Sequence, residues 1–77
     1  MRWYEIVGVF KDLSYNPKVI LVEHGKNQTV EIHCRSKDDF DAITDIYNRS
    51  DLVSVTAGLD SKGRLILDSY EVLGAKR

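Results

Sequence analysis

Residues 52–67 read Leu52-Val53-Ser54-Val55-Thr56-Ala57-Gly58-Leu59-Asp60-Ser61-Lys62-Gly63-Arg64-Leu65-Ile66-Leu67. Val53, Val55, Ala57 and Leu59 alternate with their neighbours at the period of two that puts one set of side chains on one face of a strand. Leu65 and Leu67 meet that face across a loop. If Asp60 pairs with Arg64, the loop is Ser61-Lys62-Gly63, with glycine where a positive φ is required. Beyond Leu67 the alternation changes phase to Tyr70 and Val72. That change predicts a bulge near Asp68-Ser69, a common way for a strand to leave one sheet edge and join another.

Working towards the N-terminus, Ser36-Lys37-Asp38-Asp39 fits an N-cap followed three places on by an acidic residue. Apolar residues then fall at Phe40, Ile43, Ile46 and Tyr47, which predicts a helix of about three turns ending near Asn48-Arg49-Ser50. Asp38, Asp39 and Asp41 occupy its first turns, where carboxylates interact favourably with the helix dipole. Before the helix, Lys18 to His24 and Gln28 to Arg35 form a hairpin around Gly25-Lys26-Asn27. A three-residue loop sets Val22 opposite Val30, Ile20 opposite Ile32 and Lys18 opposite Cys34, so the even positions share one apolar face. A loop one residue shorter or longer would mix the faces, because a slip of one residue inverts a strand. A first strand covers about Trp3 to Phe10, with Gly8 marking a bulge or bend. The turn-rich segment Lys11-Asp12-Leu13-Ser14-Tyr15-Asn16-Pro17 closes it.

The order is three strands, a helix and two strands: a mainly β chain with one helix, β-β-β-α-β-β, in a single domain over residues 1–77. With Gly8 in strand one and the closing pair quoted above, it resembles the oligonucleotide/oligosaccharide-binding (OB) fold over about Trp3 to Leu73. The resemblance implies a small five-stranded barrel. An open α+β antiparallel sheet is the alternative. It further implies a ligand across the outer face of strands two and three, at Val19, Leu21, Glu23, Thr29, Glu31 and His33. Lys11 and Tyr15 would flank it in one loop, and Lys62 and Arg64 in the other.

Composition bounds what such a surface binds. The 77 residues carry eleven Lys and Arg against twelve Asp and Glu, a formal net charge of −1, with 43% hydrophobic and 30% charged residues. That is the composition of one small folded domain with a thin core, not of a disordered tail. The charge is uneven. Residues 37–51 hold Lys37 and Arg49 against five aspartates, a local −3, which leaves the remainder at +2. Single-strand binding calls for a cationic groove and aromatic rings on which bases stack. The outer face of strands two and three offers no ring and carries two glutamates, so rings would have to come from Tyr15, or from Phe10 or Trp3 if exposed.

The first expectation is therefore a non-catalytic protein-interaction module: an adaptor, an inhibitor or a subunit of an assembly, binding another protein or a second copy of itself. Val19, Leu21, Glu31 and His33 would form a strand patch. Asp38, Asp41 and Asp45, at i, i+3 and i+7, would form an acidic helix ridge suited to a basic partner. The alternative is a weak single-stranded nucleic-acid binder using Lys11, Tyr15, Lys18, Arg35, Lys62 and Arg64.

Nothing points to catalysis, a metal or another cofactor. His33 and Cys34 face opposite ways along a strand, and one cysteine with two histidines falls short of a structural zinc site. Asp38-Asp39-Phe40-Asp41 lacks the glycine and distal glutamate of a calcium loop. The five glycines are dispersed, with no phosphate-binding loop, and no serine stands in a nucleophile elbow. A lone Cys34 allows no intrachain disulfide, and no apolar run approaches the ~20 residues of a membrane span. The N-terminus lacks a signal-peptide pattern, so the expected setting is cytoplasmic, with no membrane partner. The sequons Asn27-Gln28-Thr29 and Asn48-Arg49-Ser50 are then chance matches.

Overall fold

The first strand is long, and its two halves pair with different neighbours. In the computed structural model, which describes residues 2–75, β1 spans Trp3–Ser14, β2 Val19–Glu23, β3 Thr29–His33, α1 Lys37–Arg49, β4 Asp51–Leu59 and β5 Leu65–Ala75. The first half of β1 pairs with β4 from Trp3 to Val9, and its second half pairs with β2 from Val9 to Ser14, both antiparallel. Gly8 lies at the change-over. A Cβ there would collide with the carbonyl oxygen of Glu23, so only glycine lets β2 approach this closely.

The sheet closes in the order β1-β2-β3-β5-β4. The closing contact is a short parallel one between β3 and β5, with Ile32 beside Leu65 and His33 beside Ile66. A closed ring replaces the open-sheet alternative. Beyond Ile66, β5 pairs with β4 alone.

Both hairpins take the expected registers. Val22 opposes Val30 and Ile20 opposes Ile32, and Cys34 N–H donates to the Lys18 carbonyl at 2.9 Å. Asn27 holds φ 61° in the loop between them. At the second hairpin Asp60 N–H donates to the Arg64 carbonyl at 2.9 Å, and Gly63 has φ 80°. The phase change in β5 is a bulge at Asp68, because Ala57 opposes Leu67 while Thr56 opposes Ser69. A further irregularity follows at Leu73, between the pairs Val53 with Val72 and Leu52 with Gly74.

The first strand departs from expectation. It does not close at Phe10 but runs to Ser14, and the turn is confined to residues 15–18. Lys11 is an extra residue between the pairs Phe10 with Val22 and Asp12 with Leu21. This bulge resets the alternation, so Phe10 and Leu13 both turn to the core and the strand continues through residues that look like a turn.

Inside the ring, Phe10, Ile20, Val22, Ile32, Cys34, Val53, Val55 and Ala57 form one buried cluster. The helix completes it with Phe40, Ile43 and Ile46. Ser36 caps that helix, its Oγ accepting from Asp39 N–H at 3.3 Å, and Ser50 ends it in the left-handed conformation. Buried Asp51 at the start of β4 is matched by Arg49, whose Nε lies 2.9 Å from its carboxylate.

Candidate functional site

The outer face of β2 and β3 differs from the open apolar patch expected of it. Val19 is 8% exposed, and Leu21 is only partly accessible. Both line a groove shared with Asp12, Leu13, Ser14, Pro17, Glu31 and His33. Leu13, brought to this end of the barrel by the Lys11 bulge, and Pro17 narrow the apolar surface left over. His33 Nε2 lies 3.3 Å from Glu31 Oε1, so these two outward side chains engage each other. The helix ridge is exposed, but Asp41 is tied to Lys37 Nζ at 3.0 Å and that contact raises the Lys37 pKa. Asp38 and Asp45 are exposed on the same helix.

The residues of the alternative fall into two groups and a remainder. Tyr15, 61% exposed, anchors one edge against buried Phe40 with ring centroids 5.7 Å apart, and Lys18 Nζ sits 5.6 Å from its ring. This fixes an accessible ring next to a cation at the β1–β2 turn. Arg35, exposed just beyond β3, lines a second groove together with Trp3, Gly58, Leu59, Asp60, Ile66, Leu67 and Asp68. Lys62 and Arg64 stand at the β4–β5 loop, which Asp60 organises. Its Oδ1 accepts from Arg64 N–H at 2.7 Å and Lys62 N–H at 3.0 Å, and its Oδ2 from Arg64 Nε at 3.1 Å. These bonds, led by the Arg64 backbone N–H, hold the Asp60 carboxyl below the usual range. Lys11 stands apart, 3.4 Å from Glu23.

Of the candidate rings, Phe10 is 3% exposed and is a core residue, whereas Trp3 is 54% exposed. Trp3 lies against Gly58, where a Cβ would come within 2.8 Å of the indole. Position 58 therefore has to be glycine for the ring to lie across β4.

The registers connect the two groups. Trp3 pairs with Gly58, Gly58 with Ile66, Ile66 with His33, His33 with Val19, and Val19 with Ser14. This is one continuous row across the strands, beginning at the N-terminal end of β1 and returning to its C-terminal end. Five inter-strand steps of about 4.8 Å make it roughly 24 Å long. The Trp3 groove lies along its first half and the Val19 groove along its second. A ring marks each end: Trp3 at one, and Tyr15, next to Ser14, at the other. Of the cations, Arg35 lines its first groove, while Lys18 directly precedes Val19 and Arg64 stands in the β4–β5 loop; the acidic side chains lining the two grooves are Asp12, Glu31, Asp60 and Asp68.

No family model and no curated protein sequence matches the chain. Solved structures do. Two crystal forms of the S. cerevisiae mitochondrial single-stranded DNA-binding protein Rim1 superpose with TM-scores of 0.73 and 0.71, each at 15% identity. The first match covers 96% of both chains, the second 99% of this chain and 97% of that one. The fold is an OB barrel. Its strand order, single helix and bent first strand agree with the resemblance drawn from the sequence. Sequence reasoning named Lys11, Tyr15, Lys18, Arg35, Lys62 and Arg64, of which Lys11 stands apart beside Glu23. It missed that Trp3, Gly58, Ile66 and Asp68 share a groove with Arg35, because that grouping exists only once the barrel has closed.

Proposed function

We propose that this OB barrel is a non-catalytic, single-stranded nucleic-acid-binding protein. The observation that carries the proposal is the row from Trp3 to Ser14, which has an accessible ring at either end and Arg35 and Lys18 beside it. A single strand laid across the sheet would stack one base on the indole and another on Tyr15. Between them its phosphates would meet Arg35, Lys18 and, at the β4–β5 loop, Lys62 and Arg64. Stacking is tolerant of sequence because every base has a π face, and each stack contributes about 1–3 kcal/mol. The shared fold of single-stranded DNA-binding proteins supports the same reading.

The expectation of a protein-interaction module acting through Val19, Leu21, Glu31 and His33, with Asp38, Asp41 and Asp45 as a second surface, is corrected. Both solved structures described above are of a single-stranded DNA-binding protein. Physically, the apolar pair lacks the accessibility that such a patch needs, since Val19 is buried and Leu21 half-covered. The outer face of β2 and β3 carries no ring, as expected, but two of the three rings considered outside it, Trp3 and Tyr15, are exposed. The rings lie at the two ends of the longer row.

A net charge of −1 makes the affinity moderate and sensitive to salt. Fluorescence anisotropy with labelled single-stranded DNA, single-stranded RNA and duplex DNA of equal length tests the proposal. Micromolar binding to single strands at low salt is expected, with much weaker binding to the duplex, whose bases are not free to stack. Equal affinity for duplex and single strand, or none for either, would contradict it.

A further inference from the structure

We propose that the groove between Trp3 and Asp68 is a base-reading subsite that favours a nucleobase with an exocyclic amine, which among pyrimidines means cytosine over thymine. The inference rests on the single-strand reading and goes beyond it, since stacking and phosphate contacts alone do not distinguish bases.

The groove contains two carboxylates, and they differ. Asp60 is fully engaged by the backbone N–H groups of Lys62 and Arg64 and by the Arg64 side chain. Asp68 is exposed at the β5 bulge and, among the described residues, takes part in no hydrogen bond or ion pair. Arg35 is equally without a partner among the described residues, although it lines the same groove as Asp68. The pocket thus presents an indole surface, a group that only donates and a group that only accepts.

A free carboxylate on the path of a polyanion lowers non-specific affinity. It is useful there if it meets a donor. A base stacked on Trp3 turns its polar edge outward along the groove, where cytosine offers the N4 amine to a carboxylate and N3 and O2 to a guanidinium. Carboxylate acceptance from cytosine N4 is an established form of base readout, as is arginine donation to base acceptors. Thymine carries O4 where cytosine carries the amine, so Asp68 would face an acceptor and repel it. The bulge sets this geometry. It doubles Asp68 and Ser69 against Thr56 and re-aims the side chain at a point where regular alternation would have continued.

The test compares oligo(dC) and oligo(dT) of one short length at neutral pH, on the wild type and on Asp68→Ala, by anisotropy and by tryptophan emission. Trp3 is the only tryptophan, so its quenching reports this groove alone. The wild type is expected to prefer dC by about three- to tenfold, the range for one net hydrogen bond in an open, solvated groove. In Asp68→Ala that preference should vanish, chiefly because dT binds more tightly, while both oligomers still quench Trp3. Equal affinities in the wild type, a preference that survives Asp68→Ala, or binding without quenching would overturn the subsite and leave single-strand binding standing. Failure to bind either homopolymer would overturn both.

Discussion

Trp3 can lie across β4 only because position 58 carries no side chain. Trp3→Ala is therefore expected to cost about 1–3 kcal/mol of single-strand affinity. Gly58→Val should produce a similar loss with the indole still present, since the new side chain takes the space beneath the ring; anisotropy on both variants checks this, with circular dichroism to confirm the barrel. Asp60 acts on stability instead. Its carboxyl is depressed by the Arg64 backbone N–H and side chain, so the ionised form stabilises the β4–β5 hairpin above the ordinary carboxylate pKa of about 4. This contribution is lost as pH falls through the lower folded value. Asp60→Ala is expected to melt below the wild type at neutral pH, and the gap should narrow as the pH of the thermal scan drops into the acid range. Cys34 behaves as a core residue. Its Sγ donates to the Ser36 carbonyl at 3.4 Å, and burial pushes the thiol pKa up. Tyr15 and Arg35 were legible as exposed residues, because a polar or amphipathic side chain in a turn or just past a strand end has no core to enter. The place of Trp3 was not, because its partner is 55 positions away and is set by closure.

Among the elements, the β2–β3 hairpin was the most legible. Alternation on two short strands and a loop tolerant of positive φ at Asn27 leave one register that keeps Ile20, Val22, Val30 and Ile32 together. The helix was legible for the same kind of reason, as its cap and its stripe agree. Ile43 on that stripe is fully buried. Ile43→Ala is expected to cost about 2–5 kcal/mol, a large share of the stability of so small a domain, and chemical denaturation will measure it. The end of β1 was illegible. Asp12, Ser14, Asn16 and Pro17 carry turn signals, and only pairing with β2 keeps residues 11–14 extended. A bulge at one lysine has no sequence mark of its own. The bulge at Asp68 did have one, because the core alternation on either side of it is long enough to display the change of phase.

At the scale of the molecule, strand order and hydrophobic pattern were enough to suggest the OB barrel, and the parallel contact between β3 and β5 completes it. Function was harder to rank. The β2–β3 face is only two strands wide and has no ring, whereas the row from Trp3 to Ser14, next to Tyr15, crosses the whole sheet. The charge division is one of sequence: residues 37–51 carry −3 and the remainder +2, a sum that includes Lys76 and Arg77 outside the described residues, and the cations along the row number only a few. Binding should depend on salt accordingly. With about two to four phosphates neutralised by Lys18, Arg35, Lys62 and Arg64, a plot of log K against log salt for a single strand should fall with a slope of about −1.4 to −2.8. The most direct test is that salt series on the wild type and on the double variant Trp3→Ala/Tyr15→Ala. Measurable, salt-dependent affinity is expected in the wild type, and in the double variant a similar slope with affinity lowered by the stacking energy of both rings. A wild type that does not bind single strands at low salt, or a double variant that binds as tightly as the wild type, would contradict it.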